Sequence, residues 1–121
     1  MSSGHQRPPA QTFRPREHIR RRRDYERVFE TGQRIHGRFM TVILQPNGGS
    51  VSRLGIAAGR KVGGATARNR AKRIGRELFR RNKLLSAYDV IFVPRPGFLS
   101  ASFASLETDY LGILRRRRRN A

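Results

Sequence analysis

The sequence predicts an α+β fold: a single-domain α/β sandwich with one mostly antiparallel sheet packed with helices, in the order αβββαβα. Three observations carry this. The chain is 121 residues long, a one-domain length. Segments with apolar residues at helical spacing alternate with short β-branched and aromatic runs. Hydrophobic residues make up 36% of the chain and charged residues 29%, so a modest core must sit inside a strongly polar surface.

In chain order, residues 1–15 are rich in Ser, Gln, Pro and Arg without periodicity, and read as a disordered arm. The folded domain is placed at 16–114 and a basic tail at 115–121, where RRRRRNA begins. Within the domain, RRRRDYERVFETG predicts the first helix, with Asp24 as N-cap, Tyr25, Val28 and Phe29 on one face, and Gly32 as its stop. GRFMTVILQ, 37–45, is β-branched and aromatic and predicts a strand. PNGGS then reads as a hairpin loop, which makes VSRLGIAAG, 51–59, an antiparallel partner. Gly63 and Gly64 break that strand, and Thr66 is placed to cap a second helix. On that helix Ala67, Ala71, Ile74 and Leu78 share one face, with Gly75 at its edge; Asn69, Lys72, Arg73, Arg76 and Arg80 lie opposite. Gly75 is tolerable there if a strand backbone comes close. DVIFVPR is a continuous apolar run typical of an interior strand, ended by Pro94 and Pro96. SFASLETDYLGILRR carries Phe103, Leu106, Tyr110, Ile113 and Leu114 at helical spacing, a final helix.

Charge defines the partner class. Lys plus Arg number 27 against 8 acids, a net charge of +19. Self-repulsion on this scale calls for a polyanion. Three of the 27 are lysines, Lys61, Lys72 and Lys83, so 24 are arginines, whose planar fork grips phosphate bidentately. Without cysteine the chain can hold no disulfide, thiolate metal site or cysteine nucleophile. No apolar run reaches the ~20 residues of a membrane span, and the N-terminus lacks a hydrophobic signal core. A cytoplasmic, nucleic-acid-bound protein is the expectation.

The charge is most ordered in GRKVGGATARNRAKRIGRELFRR, residues 59–81, with nine cations and one acid, Glu77. A charge run is most often a solvated helix face, but so uneven a balance points to phosphate. The residues Arg60, Lys61, Val62, Gly63 and Ala65, then Arg68, Asn69, Arg70, Lys72 and Arg73, then Arg76, Glu77, Phe79 and Arg80 resemble the signature of the bacterial ribonuclease P protein subunit. The likeness extends to DYERVFETGQRIHGRFMTVIL and DVIFVPRPG, and covers about Arg16 to Arg115. Gly59 stands where the family usually has Ser, Thr66 or Ala67 where it has a β-branched residue, and Ala71 and Gly75 where it has larger aliphatics.

The resemblance implies the protein cofactor of a ribozyme that removes the 5′ leader from precursor tRNA. The RNA subunit would carry the catalytic centre and the Mg²⁺ ions, with one protein to one RNA. It also implies a left-handed strand–helix–strand crossover, against the usual handedness. Arg60, Lys61, Arg68, Asn69, Arg70, Lys72, Arg73 and Arg76 would meet the RNA subunit: the cations on phosphates, the Asn on a base edge or sugar. For the leader, family position points to Tyr25 and Phe29, which as stacking rings compete with their reading as ordinary core of an amphipathic helix. On the strand, Arg38, Met40 and Val42 share a face, and the face with Arg38 is assigned to RNA, so Arg38 and Val42 join the leader set and Phe39 and Ile43 are left for the core.

A nuclease centre within the chain finds no support. The acids are Glu17, Asp24, Glu26, Glu30, Glu77, Asp89, Glu107 and Asp109, and none has a metal-binding spacing. The pairs Asp24 with Glu26 and Glu107 with Asp109 are read as acids near helix starts. The rival function is a ribosomal or other structural RNA-binding protein without enzyme activity, which composition alone does not separate.

Overall fold

The computed structural model describes residues 15–83 and 87–117. The expected arm, apart from Pro15, lies outside the described residues, as does the end of the basic tail, 118–121. The elements are α1 (Arg22–Thr31), β1 (Gln33–His36), β2 (Met40–Pro46), β3 (Arg53–Ile56), α2 (Ala65–Arg81), β4 (Tyr88–Pro94) and α3 (Phe103–Arg116). Single 3-10 turns occur at Pro15–Glu17 and Arg60–Val62. The sequence predicts the αβββαβα order but locates two of the three strands that precede α2. β1 has too little pattern to announce itself, since only Ile35 among its four residues is buried.

The hairpin expectation fails. The sheet order is β1-β2-β4-β3, with β4 antiparallel to β2 and parallel to β3. β4 therefore lies between the two strands expected to pair. The reason is burial. Val90 and Phe92 of β4 face one core and Ile91 the other, so this strand needs cover on both sides. β3 has four residues, including Gly55 and the charged Arg53, and suits an edge. That edge is itself covered: His18 bridges to Leu54, and the Ile19 N–H donates to the Leu54 carbonyl at 2.9 Å.

Two cores flank the sheet. The larger packs Met40, Val42 and Leu44 of β2, and Val90 and Phe92 of β4, against α2 and α3. Phe92 meets Tyr110 edge-on at 4.9 Å between centroids. α2 docks through Ala71, Gly75, Leu78 and Phe79, close to the predicted stripe. A Cβ on Gly75 would fall 2.5 Å from Ile56 Cδ1, so side chains rather than strand backbone demand glycine there. The smaller core joins Val28 of α1 to Ile43, Ile91 and Ile19.

Helix starts also differ from expectation. Asp24 is not the N-cap of α1; Arg21 holds that position without a side-chain bond, and Asp24 lies in the first turn. It is drawn inward by Arg27, whose Nη1 lies 3.0 Å from its carboxylate, and by Arg53. Thr66 does not cap α2, which follows Gly64 directly. α3 is capped by Ser102, which accepts from the Ser105 N–H, and it continues through Arg116 into the expected tail. Among the described residues no helix is long and apolar enough to cross a membrane.

Candidate RNA interface

The first surface is the outer side of α2 with the turn that leads into it. Gly63 has φ +137°, open to glycine but strained for other residues, and it lets the chain turn sharply from Arg60–Val62 into the helix. Arg68 fastens that turn, its Nη1 donating to the Gly63 carbonyl at 3.1 Å. Arg60, Lys61, Asn69, Arg70, Lys72, Arg73 and Arg76 are exposed and Arg68 half-buried. Glu77, the one acid of the segment, is engaged by Arg80 and by Arg81, whose Nε lies at 2.8 Å. Hydrogen bonding from Arg80 is the main cause that holds the Glu77 carboxyl below its ordinary value. Arg80, expected on the outward face, is thus half-buried and paired. The remaining seven cations of the segment form no ion pair among the described residues. All seven belong to the predicted RNA-facing set.

The second surface is the side of the sheet that carries α1. One helix covers it only in part, and Tyr25, Phe29, Ala57 and Val93 stay half-exposed around Ile43 and Ile91. Tyr25 lies over Gly55, where a Cβ would be 2.5 Å from its Oη. Burial raises the Tyr25 hydroxyl above its ordinary pKa, partly offset by its hydrogen bond to the Ile56 backbone. Phe29 has the Arg34 guanidinium over its ring at 5.9 Å. On the same side, His36 Nδ1 lies 2.9 Å from Thr41 Oγ1. A pocket of about 180 Å³, lined by His18, Tyr25, Gly55, Lys72 and Arg76 among others, joins this surface to α2. Burial, with Arg20 and Arg76 nearby, lowers the His18 pKa and favours its neutral form.

The leader set needs correction on β2. Val42 is fully buried beneath α2 and α3, and Met40 with it. The face that looks toward α1 carries Thr41 and Ile43, which are buried too, so the half-exposed residues of that side lie on α1, on β4 and just after β3. Arg38 precedes the strand and lies in the turn after β1, with its guanidinium 5.1 Å over the Phe39 ring. The alternation of side chains was read correctly, but a lone Arg at a strand's mouth does not reveal that both faces of the strand are buried. The sequence did not single out Gly55, which Tyr25 covers, or Arg34, which lies over Phe29. Gly55 could have been found from a glycine inside a strand pattern, a mark of close approach.

α1 is fixed on the sheet by a buried charge. Asp89 is fully buried and accepts from Arg53 Nε and Nη2 at 2.8 and 2.7 Å, Arg27 Nη2 at 2.7 Å and Asn47 Nδ2 at 3.0 Å. Burial pushes its carboxyl up, but hydrogen bonds from Arg53 and Asn47 and the charges of Arg53 and Arg27 prevail and hold it below the ordinary value. Helix α1, β3 and the loop after β2 thus meet on one carboxylate of β4.

A basic helix after a glycine turn, beside a half-covered sheet, is the arrangement the sequence motif required, and the family model for ribonuclease P matches residues 13–118. The chain belongs to the ribonuclease P protein family. Ribonuclease P is an endoribonuclease that acts on tRNA precursors as a ribonucleoprotein, and its protein subunit works with ribonuclease P RNA. The ribonuclease P protein component of Thermotoga sp. strain RQ2 is 37% identical over 112 residues, covering 88% of this chain and 96% of the relative. That of Desulfotalea psychrophila is 42% identical over 86 residues, covering 69% and 72%. Among solved structures, the ribonuclease P protein of Thermotoga maritima superposes with a TM-score of 0.76 at 36% identity, covering 85% of this chain and 99% of the other. The Staphylococcus aureus protein gives 0.72 at 26% identity, covering 82% and 93%.

Proposed function

We propose that this ribonuclease P protein seats the RNA subunit on the outer side of α2, one protein to one RNA, and holds the 5′ leader of precursor tRNA on the half-covered sheet face. It does so in the cytoplasm. The observation that carries this is the set of seven cations on α2 and its entry turn, left without acids while Glu77 is engaged by Arg80 and Arg81. Arg60, Lys61, Arg68, Arg70, Lys72, Arg73 and Arg76 neutralise phosphates, and Asn69 bonds to a base edge or a sugar. Tyr25 and Phe29 offer ring faces on which splayed leader bases stack. Mature tRNA lacks the leader and gains nothing from this face, so the protein discriminates precursor from product.

Mg²⁺ supplies charge stabilisation to the cleavage step, and this reading leaves it with the RNA. The protein's own acids do not fit such a site. Among the described residues no three metal-ligating side chains converge. Asp24 and Asp89 are engaged by arginines, and Asp109 by backbone N–H groups. The protein instead lowers the Mg²⁺ demand by screening RNA phosphates from one another.

Reconstitution with a bacterial ribonuclease P RNA at low Mg²⁺ tests the reading. The expected result is faster cleavage of precursor tRNA when the protein is added; no gain over RNA alone would overturn it.

A further inference from the structure

The turn between β1 and β2 is held by three side chains from two elements. Asp109 of α3 accepts the Arg38 and Phe39 backbone N–H groups at 2.9 and 2.8 Å. Arg95, just after β4, donates to the Gly37 carbonyl at 2.7 Å, and Arg116 of α3 donates to the His36 carbonyl at 3.2 Å. Those carbonyls belong to adjacent residues, so two guanidinium groups are fixed beside Arg38, and Arg115 neighbours Arg116 on the helix. Arg38, Arg95, Arg115 and Arg116 are all exposed. Among the described residues none of the four forms an ion pair. Asp109 is the acid beside them, and both its oxygens are occupied by the turn's amides. Like charges gathered this way repel one another, and the fold secures them with bonds from α3 and the β4 loop rather than letting them separate.

We propose that this turn and the end of α3 form a second RNA-binding surface, which takes the phosphate backbone of a helical segment of the RNA subunit. The proposal rests on the reading that the chain docks on that RNA. Three features choose this occupant. The cations are all arginines, suited to bidentate phosphate contact. The turn offers a single ring, Phe39, which packs against the larger core, so successive bases find no pair of rings like Tyr25 and Phe29. The chain also runs on from here into further arginines, through Arg119. The surface is distinct from the first: α3 packs on β1 and β2, whereas α2 packs on β3 at the opposite edge of the sheet. RNA held at both edges fixes the orientation of the leader face between them.

The test uses the full chain carrying Arg38→Gln and Arg115→Gln, because neither guanidinium holds the turn. Binding to a ribonuclease P RNA transcript and to a short unstructured RNA oligonucleotide is measured over a salt series, beside an Arg68→Ala/Arg70→Ala variant. For the transcript, the slope of log Kd against log salt should fall by about 0.9 per lost phosphate contact, roughly 1.8 for the pair. Thermal melting should match the parent. An unchanged slope, while the Arg68/Arg70 variant still loses its own, overturns the second surface alone. A change seen only with the oligonucleotide also overturns it, and assigns the turn to single-stranded RNA. If neither variant alters the transcript slope, docking on the RNA subunit fails and the second surface fails with it.

Discussion

On one side of the sheet, Met40, Val42, Leu44, Val90 and Phe92 are sealed beneath two helices. On the other, a helix of ten residues covers a smaller core, leaves Tyr25 and Phe29 half-exposed, and is anchored by a buried carboxylate. The sealed side obtains its stability from apolar burial, and the strands there present nothing to a ligand. The α1 side gives up part of that burial and replaces it with Asp89, which fixes the helix while the rings beside it stay accessible. Apolar stability and the proposed leader binding are thereby assigned to opposite faces of the same strands, whose side chains alternate between them, while the proposed RNA-subunit surfaces lie on the outer sides of the sealing helices.

Substitutions can break this division. Phe92→Ala on the sealed side should cost about 3–5 kcal/mol in denaturant unfolding and reduce RNA binding only through loss of fold. Asp89→Asn should cost about 3 kcal/mol at neutral pH, because Arg27 and Arg53 lose their buried counter-charge and keep only Asp24. The Asp89 carboxyl is held below its ordinary value when folded, so its contribution is present above the unfolded pKa and lost as pH falls through the folded pKa. The parent should therefore weaken in acid, while the Asn variant shows a flatter profile of melting temperature against pH.

Smaller effects sharpen the contrast on the open side. Phe29→Ala should weaken binding of leader-bearing precursor by about 1–3 kcal/mol, with mature tRNA and the RNA subunit bound as before; an equal loss for mature tRNA would make Phe29 a packing residue. Gly55→Ala places a methyl against Tyr25 and should cost about 1 kcal/mol of the same leader affinity, read by competition between long- and short-leader substrates. Arg70→Ala should leave melting unchanged and lower the salt slope for the RNA subunit by about 0.9.

The basic face of α2 was legible because its information is local. Arg68, Asn69, Arg70, Lys72, Arg73 and Arg76 lie within nine residues, and helical geometry alone sends Asn69, Lys72, Arg73 and Arg76 away from Ala71 and Leu78, with Arg68 at the edge of the docked face. The leader face was only half legible. Tyr25 and Phe29 follow from one helix, but Val42 was misplaced because both faces of β2 are apolar and Arg38 lies outside the strand. The pairs Asp24 with Glu26 and Glu107 with Asp109 were read as acids near helix starts; Asp24 does lie in the first turn of α1 and also serves Arg53, whereas Asp109 lies beyond the first turn of α3 and serves the Arg38–Phe39 amides.

By itself the sequence determined the element types, the excess of phosphate-seeking charge and the motif that carries it, since each depends on residues a few positions apart. Tertiary structure decided that β4 separates β2 from β3, that Arg27 and Arg53 converge on Asp89, and that Arg38, Arg95 and Arg116 meet at one turn. Those outcomes depend on which strand must bury both faces and on which distant partner a charge finds when it is buried, and neither is written in local spacing.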